Sequence, residues 1–488
     1  VDGRRNKIII IQMKEYIHFV YDFKFPNGYL QFGYTKSTIK DNFFYQTENT
    51  QEDVVLLASP HAPSNLRPQV GMFADEYVST NKNWNKLGVN QIQDIIDRKH
   101  YDSSKTYFFI TLEATTIANF FEYYLNPNLN FDDLLSPKLL NYFKTRDEFK
   151  IILMDNREGS YFHDIKLFNK FSKWLDKHNV NANNKIVIST CNDKINNIKF
   201  DDKRIVVYNN DYYIYYAGKF IQECEEQNNL ITEYGKEYQY SLQENLKFNK
   251  KEKYFLNYNR NSARLHRPFL VNELYKHNIL ENGIVSLLKT DDFDKILDEI
   301  ENDFENFDIS NGGLKLNNTD YKELYSNHKK WYPLVIENAN EEEVAWYHNF
   351  LSRKDEYEKT YFSIVSETNA NSWYLFITEK TLKPIMNLHP FLINGNPHTL
   401  KHLKKLGFQT FDKWWDESYD DEKNYKKRTE LLVNQVKILC NKTHEEWILM
   451  LQEMQPILHY NKNLLKEKYT SKSYEKNLLN QFNKNTML

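Results

Sequence analysis

The sequence predicts an α/β protein made of two Rossmann-like domains, and three observations carry that reading. Short apolar runs such as Phe149–Met154 and Phe362–Val365 have the composition of strands buried on both faces of a parallel sheet. Stretches with helical spacing alternate with them, and Phe162–Leu175 is the clearest. The chain has 488 residues, long enough for two domains, and a polar segment dense in Glu, Gln, Asn and Lys (225–252) separates its halves.

In chain order, Tyr16–Phe25 is apolar and aromatic and reads as a strand, closed by the Pro26-Asn27-Gly28 turn. Leu30, Phe32 and Tyr34 alternate and suit a returning strand. Val54–Ala58 reads as a strand ending in a polar loop whose His61 is taken as structural. Tyr107–Leu112 is a strand with Glu113 just beyond it, and Ile117–Leu125 has the spacing of a helix. Phe149–Met154 ends in Asp155-Asn156-Arg157-Glu158-Gly159. In the following helix Phe168, Phe171, Trp174 and Leu175 form one apolar stripe, read as core. Lys185–Ser189 and Arg204–Tyr208 complete the strands of the first half.

The second half opens with a strand at Tyr254–Tyr258, a basic turn (Arg260, Arg264, His266, Arg267) and a helix at Pro268–Tyr275. Ile284–Leu287 is the next strand. Trp346, Tyr347, Phe350 and Leu351 have helical spacing, as do Leu431–Leu439 and Trp447–Met454, and a basic helical stretch runs from 456 to 488. Trp414, Trp415 and Tyr419 are read as anchors of the region after Gly407.

Composition sets bounds. The formal net charge of −3 gives no global case for nucleic acid, and 41% hydrophobic with 15% aromatic residues argues against disorder. Three widely spaced cysteines, Cys191, Cys224 and Cys440, make neither a disulfide framework nor a zinc spacing and suit a reducing cytoplasm. No apolar run reaches the length of a membrane span. The chain begins with Val1, and residues 1–12 are expected to be a leader or remnant, with Met13 as the natural start.

The most informative stretch is Tyr361–Gly407. The strand Phe362–Val365 is followed by Ser366-Glu367-Thr368, turn residues Asn369–Ser372, and Ile377-Thr378-Glu379-Lys380-Thr381-Leu382-Lys383-Pro384. Thr378 stands where an N-cap belongs, with Glu379 in the favoured first turn; Pro384 is expected within about the first turn of that helix. Pro390–Ile393 is the next strand. A strand–helix–strand unit with charges at the strand end and helix start is where open parallel sheets bind ligands.

These words, with His402–Asp420 after them, resemble the donor-binding region of fucosyltransferase-like glycosyltransferases of GT-B architecture, including viral and bacterial relatives. The resemblance covers roughly the last 170 residues and hardly touches the first 250. It implies two Rossmann-like domains facing across a cleft, with a C-terminal helix returning to the first. The implied limits are an acceptor domain at 13–224, a linker at 225–252, a nucleotide-sugar domain at 253–455 and the return at 456–488. It implies that Glu379 holds the ribose and Lys380 the phosphates. It also implies that an arginine near residue 260 grips the diphosphate. Spacing does not separate Arg260, Arg264 and Arg267, and Arg260 and Arg267 are favoured. Glu367, Thr378 and Lys383 complete the expected donor set.

The activity so implied is transfer of a sugar from a nucleotide-sugar to a hydroxyl acceptor, a glycan or a modified nucleobase, with inversion. The nucleotide-sugar is a co-substrate and no other cofactor is expected. Asp291, Asp292 and Asp294 include a D-x-D triplet, but in an Asp-rich segment it reads as helix surface and not as a metal site. Inversion needs a general base. Glu158 and Asp155, after the clearest strand of the first half, are the candidates, with Glu113 in reserve. Two other readings stay open: a viral glycosyltransferase acting on DNA bases, and a non-catalytic nucleotide- or glycan-binding protein.

Overall fold

The computed structural model describes residues 16–20, 44–45, 55–56, 84–87, 106–113, 137–155, 165–192, 201–209, 212–227, 230–233, 236–239, 242–243, 245–259, 262, 264–288, 318–335, 354–372 and 375–471. It is a mixed α/β protein with two parallel sheets, in two compact units. Among the described residues the first unit runs to Thr190 and includes 201–209; the second takes in 191–192 and 212–471.

The strands of the first unit's large sheet are β1 (Tyr16–Val20), β4 (Trp84–Leu87), β5 (Thr106–Glu113), β6 (Phe149–Asp155), β7 (Ile186–Thr190) and β8 (Ile205–Asn209). A two-residue antiparallel pair, β2 (Phe44–Tyr45) with β3 (Val55–Leu56), forms a separate small sheet that includes the described part of the Val54–Ala58 run. The sheet order is β4-β1-β5-β6-β7-β8, and every neighbouring pair is parallel. Ile151, Ile152 and Ile186–Ile188 are buried, as the apolar runs required. Helices α1 (Pro137–Thr145) and α2 (Ile165–Lys177) add Leu139, Phe143, Phe168, Phe171, Trp174 and Leu175 to the core, so the α2 stripe is core as expected. The Leu30–Tyr34 strand, His61 and the Ile117–Leu125 helix fall outside the described residues.

The second unit begins with α3 (Tyr212–Glu226) and an antiparallel hairpin, β9 (Leu230–Glu233) and β10 (Lys236–Gln239), the hairpin lying within the polar 225–252 stretch. The stretch between this hairpin and the second sheet is fastened to the unit. The Gln243 N–H donates to Asn387 Oδ1 (3.1 Å), Lys462 Nζ donates to the Gln243 carbonyl (3.1 Å), and the Lys251 N–H donates to the Tyr361 hydroxyl (3.0 Å).

The unit's sheet contains β11 (Phe255–Asn259), β12 (Gly283–Leu287), β13 (Phe362–Ser366) and β14 (Phe391–Asn394), all parallel, in the order β12-β11-β13-β14. Around it come α4 (His266–Lys276), α5 (Asn318–His328), α6 (Lys354–Glu358), α7 (Glu379–Met386), α8 (Thr399–Lys405), α9 (Tyr425–Cys440) and α10 (His444–Thr470). After β11 the chain moves outward on one side to β12; after β13 it moves outward on the other side to β14. The direction therefore reverses between β11 and β13, whose carboxyl ends lie side by side.

Two expectations about helices need correction. The segments Trp447–Met454 and 456 onward are one helix, α10, with Pro456 inside it. A capping box starts that helix: Thr443 Oγ1 accepts from the Glu446 N–H while Glu446 accepts from the Thr443 N–H. Pro384 is the sixth residue of α7, past the first turn, and α7 ends two residues later at Met386. A proline that near the last turn forfeits little of the ladder.

The helix α10 packs along α3, both within the second unit. A Cβ on Gly218 of α3 would sit 2.2 Å from the Leu465 carbonyl oxygen of α10, so the two backbones approach as closely as only glycine permits. Tyr215 packs edge-on against Tyr469 at the same contact. Residues 472–488 lie outside the described set.

Candidate functional site

The site is built where β11 and β13 end, at the reversal of strand direction, the place at which open parallel sheets hold ligands. Beyond β11 the chain turns through Arg264 into α4; beyond β13 it turns through Glu367 and Thr368 and returns at Thr378 into α7.

Glu367 organises the second of these turns. Its carboxylate is buried and accepts four hydrogen bonds: at Oε1 from the Thr381 hydroxyl (2.6 Å) and the Thr378 N–H (3.3 Å), and at Oε2 from the Thr378 hydroxyl (2.7 Å) and the Thr368 N–H (3.2 Å). Burial pushes the Glu367 pKa up, and the Lys380 charge and the two threonine hydroxyls act against that shift. Sequence reasoning offered Glu367 either to the donor or as a cap for the following turn. Here its oxygens are committed to the protein, and it ties the end of β13 to the start of α7.

Thr378 caps α7 as its position predicted. Its φ and ψ are extended (−113° and 179°), and its Oγ1 accepts from the Lys380 N–H (3.3 Å) while donating to Glu367. Glu379 and Lys380 follow at the helix start. Lys380 Nζ lies 2.6 Å from Glu379 Oε1 and 3.1 Å from Thr368 Oγ1, and the two side chains of the ion pair are 21% and 10% exposed. Among the described residues Glu379 Oε2 has no such partner.

From the other turn, Arg264 Nη1 donates to the Thr368 carbonyl (2.8 Å). His266 Nε2 meets the Glu367 carbonyl at 2.7 Å, and since a carbonyl only accepts, Nε2 carries the proton. Burial holds His266 neutral, well below its ordinary range, and the neighbouring charges of Arg267, Arg264 and Lys380 press the same way. Arg264 and Lys380 thus meet at Thr368, one at its carbonyl and one at its hydroxyl. Arg267, the second residue of α4, is buried, and no side chain caps the start of that helix. The carbonyl of His266 accepts from the Tyr425 hydroxyl (2.8 Å), which ties α4 to α9. Arg428, also on α9, is buried and donates to the carbonyls of Gly395, Glu422, Lys423 and Ala370, bracing the loops after β13 and β14.

The structure thus brings together Arg264, Glu367, Thr378, Glu379 and Lys380, and places Arg267 in the first turn of α4. Lys383 stands about one turn further along α7. Arg260, Glu158 and Asp291, Asp292 and Asp294 lie outside the described residues. Glu113 and Asp155 end the adjacent strands β5 and β6 at the carboxyl edge of the first sheet, Glu113 opposite Met154; of their side chains nothing is described. Among the described residues no group of three or more His, Cys, Asp or Glu side chains is arranged to hold a metal ion, and no helix is long and apolar enough to cross a membrane. Trp415 and Tyr419 are buried anchors, with the Tyr419 hydroxyl accepting from the Ile393 N–H (3.0 Å).

Thr368 and His266 were not singled out as contacts by sequence reasoning. A basic turn and a strand-end threonine were visible; their meeting is a product of the strand order. No protein-family model matches the chain, and none of the curated proteins matches its sequence.

Proposed function

We propose that the second unit holds a nucleotide-sugar by its diphosphate and that the protein is a glycosyltransferase of GT-B architecture, passing the sugar to a hydroxyl acceptor with inversion. One observation carries the proposal: Lys380 and Arg264 meet at Thr368 beside Glu379, on the carboxyl edge of a parallel sheet, with Arg267 buried in the first turn of α4. Sugar transfer passes through an oxocarbenium-like state and leaves negative charge on the departing diphosphate. Fixed cations aimed at that charge stabilise it without reorganisation, and guanidinium groups and helix starts both favour phosphate oxygens. In this reading no metal is required.

Glu379, an acceptor-only group when ionised, takes ribose hydroxyls through Oε2 while Oε1 holds Lys380. Glu367 and Thr378 keep the helix start in place rather than touch the donor. The general base belongs to the first unit in this proposal, from Asp155, Glu158 or Glu113. The motif's resemblance to fucosyltransferase-like enzymes supports the same assignment.

The test is a thermal-shift panel with UDP-, GDP-, ADP- and CMP-sugars, followed by calorimetry and donor turnover. One donor class should stabilise the protein, and Lys380→Ala and Glu379→Ala should each weaken its binding about tenfold or more while the variants stay folded. Full donor affinity in both variants would refute the assignment. Binding without turnover of the donor would leave a nucleotide-binding protein in place of an enzyme.

A further inference from the structure

Resting on the reading above, we infer that Thr368 is a positioning residue that sets the spacing of two diphosphate-binding cations. Thr368 is fully buried immediately after Glu367, and it receives one cation at each of its two oxygens. Arg264 Nη1 donates to its carbonyl at 2.8 Å, and Lys380 Nζ lies 3.1 Å from its Oγ1. The two cations come from different loops, one after β11 and one at the start of α7, and this residue is where they meet.

The residue itself is held. Its N–H donates to Glu367 Oε2 (3.2 Å), and the carbonyl before it is held by His266. Two long, flexible side chains that would otherwise sample many rotamers are therefore anchored through one short rigid residue. Ordering them before the ligand arrives removes a cost that binding would bear. Both oxygens of Thr368 are neutral, so this residue orders the two head groups without adding a counter-charge of its own. The Glu379 carboxylate, 2.6 Å from the same ammonium, fixes its direction. A pair of cations held apart by one residue suits a bridged diphosphate better than a single phosphate.

The experiment uses the full chain and inorganic pyrophosphate, titrated by calorimetry against wild type, Thr368→Val, Thr368→Ser, Lys380→Met and the Thr368→Val/Lys380→Met double variant, with thermal melts of each. Valine keeps the shape and removes the hydroxyl; serine restores it. Thr368→Val should bind pyrophosphate about tenfold more weakly, and Thr368→Ser should recover most of the loss. In the Lys380→Met background the valine substitution should have little further effect, because the hydroxyl acts through that ammonium. A purely structural threonine would give equal losses in both backgrounds, which would overturn the inference. So would wild-type affinity in Thr368→Val. If wild type binds pyrophosphate as expected but turns over no nucleotide-sugar, the enzymatic reading fails and this inference is still decided by the variants. If wild type binds no pyrophosphate, both fall.

Discussion

Replacing Glu367 tests whether its carboxylate holds the site together. Each oxygen receives one hydroxyl and one backbone N–H. In Glu367→Gln, whichever way the amide lies, its NH2 faces one of the two N–H groups. The threonine hydroxyls can rotate to accept; a backbone N–H cannot. One buried donor is then unsatisfied, at about 1–3 kcal/mol. Glu367→Ala removes all four acceptor contacts and leaves a void, so roughly 3–5 kcal/mol is expected. Glu379→Gln removes the charge from one partner of a largely buried pair while keeping an oxygen for Lys380, and should cost about 1–3 kcal/mol. Urea unfolding followed by far-ultraviolet circular dichroism, with unchanged slope across the series, gives the three differences. If Glu367→Gln and Glu367→Ala both unfold within about 0.5 kcal/mol of wild type, the assignment of Glu367 as a clamp is wrong.

Other outcomes rest on single features. In the first unit Lys185 Nζ is buried, donating to the Arg146 and Phe149 carbonyls (2.8 and 2.7 Å). Burial, and next the charge of Lys150, lowers its pKa to about 7. Between about 7 and the unfolded value of 10.5 the unfolded chain binds the extra proton. This group's contribution is therefore complete above the unfolded value and is lost as pH falls toward 7, so stability rises with pH in that window by up to about 1.4 kcal/mol per unit. Lys185→Met should flatten that slope in urea titrations from about pH 7 to 9.5; an unchanged slope would show that Lys185 is not the source. Gly218→Ala ought to gain helix propensity, about 1 kcal/mol. Because its Cβ would meet the Leu465 backbone at 2.2 Å, a net loss of roughly 1–3 kcal/mol is expected instead, and a higher melting temperature would refute the close contact.

Much of the architecture was legible because short-range rules govern it. Buried parallel strands announce themselves as apolar runs, and β6, β7, β8, β11, β13 and β14 fall within a residue or two of their expected places. Thr378 capped its helix because a threonine before an acidic first turn has few better uses. The basic turn before α4 was visible for the same local reason. The hidden part is long-range. Nothing local says that Glu367 faces inward to two threonines, or that Thr368 receives cations from two loops, since both depend on which strand lies beside which. The tyrosine-rich run that forms α3 went unrecognised because its partner, α10, lies more than 200 residues later, and Pro456 hid that partner's continuity. The β9–β10 hairpin was obscured by its polar composition.

The pairing of α3 with α10 also imposes a schedule on biosynthesis. Ile214, Tyr215, Ala217, Phe220 and Ile221 are buried, yet α10, which packs along this helix, is translated more than 200 residues later. At about 5–20 residues per second, the ~240 residues from Glu226 to Thr470 take on the order of 10–50 s to emerge. Until then part of that aromatic face lacks its α10 cover on the nascent polypeptide. A recombinant piece starting at residue 253 would meet the converse difficulty, since the end of its closing helix, around Leu465 and Tyr469, would lose the α3 face it lies against.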